Sequence, residues 1–107
     1  MPAQPLNRIC YVEDDEDIQR IVCEHFGLSI GELKSKRRTQ NLVVPRQIAM
    51  FLTRKLVQAS YPVIGEQFGG RDHSTVIHSV DKVQRQMSRD RTFRDRIESA
   101  RSELVAQ

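Results

Sequence analysis

Asp72, His73, Ser74 and Thr75 form a run of short hydrogen-bonding side chains at the head of a segment in which Val76, Val80, Val83 and Met87 recur at 4-3-4 spacing. Such spacing places the four apolar residues on one face of a helix. At about 100° per residue, Ser74, His78, Asp81 and Arg85 then fall roughly opposite, with His73 and Thr75 flanking the helix start. Short polar groups at the entering end of a helix let its backbone approach base edges in a major groove, and a threonine methyl can meet thymine there. The same geometry argues against a metal: His73 and His78 are five residues apart and point about 140° away from each other. Asp72 beside His73 resembles an acid–base pair, but no nucleophile or pocket accompanies it, so no enzymatic activity is expected. Cys10 and Cys23 sit in no C-x-x-C pair and lack further ligands nearby, and they read as plain thiols.

A second set of residues is marked by charge. The formal net charge is only +3, yet residues 33–65 carry seven basic side chains (Lys34, Lys36, Arg37, Arg38, Arg46, Arg54, Lys55) and no acid. Residues 1–32 carry two basic and seven acidic side chains, and residues 66–107 carry eight and seven. Ordinary solvated surfaces intersperse the two signs, so this acid-free stretch creates a field suited to a polyanion. A loop at Lys36-Arg37-Arg38 can reach a second surface of a duplex, and an arginine there can enter a narrow minor groove. Single-stranded nucleic acid is disfavoured, because aromatic side chains are few and not interleaved with the cations.

Those groups need elements to hold them. At 107 residues the chain fits one domain with a modest core and no need of metal or disulfide staples. Residues 1–13, with two prolines and no sustained periodicity, are expected to be a loosely ordered lead-in, and residues 14–107 the domain proper. The acidic run Glu13 to Asp17 opens a helix carrying Ile18, Ile21, Val22 and Phe26, where a helix N-terminus favours negative charge, and Gly27 stops it. Ser29 and Glu32 match a capping box for a short second helix, with Leu28 and Leu33 as its hydrophobic staple. Lys34 to Asn41 reads as a polar basic segment, and Pro45 as the first residue of a longer helix carrying Ile48, Leu52 and Leu56 through about Ala59. Ser60-Tyr61-Pro62 starts a brief helix with Val63, Ile64 and Phe68, which Gly69-Gly70 breaks before Asp72 caps the next one. A last helix is expected around Thr92 to Val105, with Thr92 as its cap. The fold class is therefore all-α, with about five to six helices. Short helix, glycine turn and second amphipathic helix make a helix-turn-helix.

Ser35-Lys36-Arg37-Arg38, then Pro45-Arg46-Gln47-Ile48-Ala49-Met50, and above all Phe68-Gly69-Gly70-Arg71-Asp72-His73-Ser74-Thr75-Val76-Ile77-His78 resemble the signature of the C-terminal origin-binding domain of bacterial DnaA initiators, over roughly residues 17–105. The resemblance implies a Trp-repressor-like helical fold that binds short asymmetric replication-origin boxes in double-stranded DNA. It puts minor-groove entry on Arg38 and major-groove contacts on Tyr61, Pro62, Asp72, His73, Ser74 and Thr75. Phosphate contacts fall on Lys36, Arg37, Arg46, Arg54, Arg71, His78 and Lys82. Ser74 stands where threonine is usual, Tyr61 where leucine is typical, and Gln40 where arginine is frequent, so the preferred box is expected to be relaxed or shifted.

The family's ATPase module is absent from these 107 residues: no G-x-x-x-x-G-K-[ST] occurs, and no cofactor or small-molecule substrate is expected. No apolar run is long enough for a bilayer, so a cytoplasmic, nucleoid-associated protein without membrane contact is expected. Rival readings exist for these residues and for the N-terminal stretch. A helix-turn-helix transcriptional regulator, or a free-standing regulator of initiation, would present the same face. A helical protein-interaction module would bury apolar anchors, whereas the outward face here is polar. A phosphorelay receiver is resembled by Ile9 to Ile18, but no acid between Glu32 and Glu66 is present to accept a phosphoryl group.

Overall fold

A computed structural model describes residues 15–106 and is helical at every regular element among them. The lead-in at residues 1–13, the greater part of the receiver-like stretch and Cys10 lie outside the described residues. Helix α1 spans Asp15–Phe26, and its Ile18, Ile21 and Val22 are fully buried. Gly27 ends it at φ +68°. Helix α2, Ile30–Lys34, opens on the expected capping box: the Ser29 hydroxyl accepts from the Glu32 amide at 3.1 Å, and the Glu32 carboxylate accepts from the Ser29 amide at 3.0 Å. Leu33 is fully buried and Leu28 packs against the same core.

Helix α3 runs Gln40–Leu52, so it begins five residues before Pro45, which sits inside it. The expectation that Pro45 opens the helix is thereby corrected. Pro45 has no N–H to give the Asn41 carbonyl, a loss that normally disfavours an interior position. Two features offset it: Leu42 and Val43 both donate to the Thr39 carbonyl at 2.9 Å, and the added turn buries Leu42. Past Leu52 the ladder widens into a π-helical turn, Thr53–Val57, closed by the Gln58 amide on the Thr53 carbonyl at 3.1 Å. Gln58 then takes the left-handed conformation, φ 63°, so the helical path stops short of Ala59.

Helix α4, Tyr61–Gln67, starts at the Ser60 cap with Pro62 in its first turn. Helix α5, His73–Arg89, follows Gly69 and Gly70, both at positive φ, and the Asp72 carboxylate accepts from the Ser74 amide at 3.2 Å. Val76, Val80 and Val83 are buried and Met87 is half-buried, which is the stripe their spacing requires. Helix α6, Arg91–Ala106, is capped by Asp90, whose carboxylate accepts from the Phe93 amide at 3.1 Å; Thr92 therefore lies within the helix and is not the cap.

The core is one cluster to which all six helices contribute. Helix α3 crosses its centre and packs against α1, α2 and α5, while α6 closes the outside against α1 and α5. His25 of α1 meets Glu103 of α6 at 2.8 Å, and the Arg96 guanidinium lies over the Phe26 ring, 4.6 Å from its centroid. Cys23 is a free, buried thiol. Burial pushes it above its ordinary range, with Glu32 and Glu24 adding to the effect. No helix of the described residues is long and apolar enough to cross a membrane.

Candidate nucleic-acid interface

Helices α4 and α5 form a hairpin through the turn Phe68 to Asp72, and the start of α5 is open to solvent. His73, Ser74 and Thr75 are exposed in its first turn, beside the exposed cap Asp72. The His73 Nδ1 lies 3.6 Å from the Asp72 carboxylate. Further along, His78 and Lys82 are exposed, and Asp81 pairs with Arg85 at 2.8 Å on the outward face. This face is polar with one exception, Ile77, which is 40% exposed. Pro62 is exposed at the head of α4.

The basic loop between α2 and α3 flanks this helix start. Lys36, Arg37 and Arg38 are all exposed, and none of the ion pairs among the described residues takes them up. Lys36 and Arg38 share one notch of about 470 Å³ with Arg71, Asp72 and Thr75, floored by Val43, Arg46, Gln47 and Met50 of α3. The structure thus brings Arg38 and Thr75 of the first turn of α5, 37 residues apart in sequence, to one opening.

The remaining expected contacts are placed differently. Tyr61 is half-buried against the core with the Arg54 guanidinium over its ring, 4.2 Å from the centroid, and Arg54 Nη1 donates to the Ala59 carbonyl at 2.9 Å. These two residues shape the turn before α4 as much as they face outward. Arg71 is half-buried, donating to the carbonyls of Lys34, Ser35 and Phe68. Arg46 is only 4% exposed, and its Nε and both terminal nitrogens face backbone carbonyls of residues 32–37. Burial lowers the affinity of both guanidinium groups for their protons, with Arg71 acting on Arg46 and Arg38 acting on Arg71. Arginine stays charged regardless, so three crowded cations leave a positive field that an approaching anion relieves.

Sequence reasoning missed the inward turn of Arg46. Arg46 is four residues from Leu42 and three from Ala49, on the buried stripe of a helix that starts at Gln40, a register hidden as long as Pro45 is read as the helix start. Sequence reasoning also passed over Gly65, whose backbone lies against the Arg71 carbonyl.

The comparisons with known proteins agree with this geometry. Residues 16–83 match the family model described as the bacterial dnaA protein helix-turn-helix. The chain is 54% identical over 89 residues to the chromosomal replication initiator protein DnaA of Geobacter sp. (strain M21), covering 83% of this chain and 19% of that protein. It is 52% identical over 91 residues to the same-named protein of Geobacter sulfurreducens, covering 85% and 20%. The Rhodopseudomonas palustris (strain TIE-1) protein of that name is 49% identical over 89 residues, covering 83% and 19%. The chain spans about a fifth of the length of these curated relatives. A helical hairpin with a polar, exposed start to its second helix, a basic loop beside it and a family match over most of the described residues lead to one conclusion: the chain belongs to the bacterial DnaA helix-turn-helix family.

Proposed function

We propose that the chain binds double-stranded DNA sequence-specifically, at replication-origin boxes, with the first turn of α5 in the major groove and Arg38 in the adjacent minor groove. The observation that carries this reading is the shared notch: one phosphate strand separates a minor from a major groove, and the notch between Arg38 and Thr75 offers that strand a cationic seat. Asp72, His73, Ser74 and Thr75 then read base edges, with Tyr61 and Pro62 approaching from the head of α4, while Lys36, Arg37, Arg54, His78 and Lys82 hold the backbone. Nucleotide hydrolysis forms no part of this role, since nothing in these residues has the sequence of a phosphate-cradling loop. Selection of bound duplexes from a random library at fixed salt is the test: a short asymmetric motif is expected, and recovery of no motif at all rejects the reading.

Two substitutions probe the groove contacts. Arg38→Ala removes the exposed cation at the rim of the notch and is expected to weaken binding to the selected duplex by roughly 1–3 kcal/mol. Unaltered affinity in a fluorescence-anisotropy titration refutes its minor-groove role. His73→Ala is expected to lower the ratio of selected-duplex to random-duplex affinity far more than it lowers random-duplex affinity itself. Equal losses on the two duplexes contradict a base contact at this position.

A further inference from the structure

Every backbone carbonyl from Glu32 to Arg37 except that of Lys36 accepts a hydrogen bond from one of two arginine side chains. Arg46, rooted in α3, gives Nε to Leu33 at 2.7 Å, Nη1 to Arg37 at 3.0 Å and Nη2 to Glu32 at 3.4 Å. Arg71, the residue before the cap of α5, gives Nη1 to Lys34 and Phe68 and Nη2 to Ser35. The approach is close: a Cβ on Gly69 would stand 2.4 Å from the Lys34 carbonyl oxygen, and Gly69 holds φ +90°. The loop that ends in Arg38 is therefore fastened on one side to the core helix and on the other to the turn that launches α5.

From this we infer that Arg46 and Arg71 are positioning residues that act through Arg38, fixing its offset from the first turn of α5 so that one molecule can enter two adjacent grooves. The inference rests on the duplex-binding reading above. A planar guanidinium can fan its donors over several carbonyls, which the single ammonium of lysine cannot do from the same place. Lysine would nevertheless preserve the charge, and with it any contact to a phosphate. Replacement by lysine thus separates the two roles.

The experiment is a pair of double-mutant cycles on the selected duplex, Arg46→Lys with Arg38→Ala and Arg71→Lys with Arg38→Ala, with the salt slope measured for each single variant. Arg38→Ala is expected to weaken the otherwise wild-type chain by roughly 5- to 150-fold, the range for loss of such a contact. In either lysine background the same substitution is expected to cost only about twofold, because Arg38 is already misplaced, while the slope of log affinity against log salt falls no further than it does in Arg38→Ala alone. An unchanged Arg38→Ala penalty in both backgrounds overturns the inference, and so does a slope shallower by about one in Arg46→Gln and Arg71→Gln than in the matching lysine variants, which signals lost phosphate contacts. Amide hydrogen exchange across residues 34–38 reads the fastening without DNA: faster exchange in the lysine variants supports it, and unchanged exchange overturns it. Failure of the wild-type chain to bind any duplex would instead reject the underlying reading.

Discussion

Phe68→Ala is expected to lower stability by roughly 3–5 kcal/mol, the range for truncating a fully buried phenylalanine. Phe68 is 0% exposed and sits where α4 ends, so its ring anchors the turn from which α5 departs. A small domain has only about 5–15 kcal/mol of stability in total, so the loss is a large fraction of it. The thermal midpoint should fall by something on the order of 20 °C, followed by circular dichroism at 222 nm. A midpoint within about 4 °C of wild type, less than 1 kcal/mol on this scale, would show that the turn is held by something other than this ring.

Gly65→Ala is expected to cost about 3 kcal/mol although it adds one methyl group. A Cβ at Gly65 would lie 2.0 Å from the carbonyl oxygen of Arg71 and 3.1 Å from its carbon, a clash with backbone that no side-chain rotation relieves. Overpacking of this kind costs typically 1–3 kcal/mol, and an unyielding neighbour puts the value at the upper end. The Gly65 carbonyl also accepts the Arg71 amide at 2.8 Å, so a displaced helix α4 pulls directly on the residue before the Asp72 cap. The variant should therefore lose duplex discrimination at temperatures where it is still folded. Urea denaturation with a wild-type midpoint, together with intact discrimination, would contradict the close approach.

The parts of the fold that were legible in the sequence are those decided locally. The Val76, Val80 and Val83 stripe follows from the periodicity of a single helix, and the Ser29–Glu32 box from groups three residues apart. The start of α3 was misread because Pro45 suits a first helical turn by itself, whereas the burial of Leu42 is a tertiary gain that no local preference registers. Thr92 lost the cap to Asp90 for a simpler reason: both are competent capping types, and the register is set by where α5 stops.

The site divides in the same way. Exposure at His73, Ser74, Thr75, Lys36, Arg37 and Arg38 follows from patterning, since polar residues opposite a buried stripe and cations in a loop have nowhere else to go. Arg46 and Arg71 could not be sorted from the other basic residues by type. Their partners lie 9–14 residues away for Arg46 and 36 or 37 residues away, apart from Phe68, for Arg71, and only the folded chain brings those carbonyls within reach.

Binding of the purified chain to its selected duplex across a fourfold range of salt tests the central claim most directly. With Lys36, Arg37, Arg54 and Lys82 on phosphates and Arg38 in the minor groove, the slope of log affinity against log salt should be about −4 to −5, a loss of roughly 250- to 1000-fold. No measurable binding to any double-stranded oligonucleotide in dilute buffer, or an affinity indifferent to salt, would contradict it.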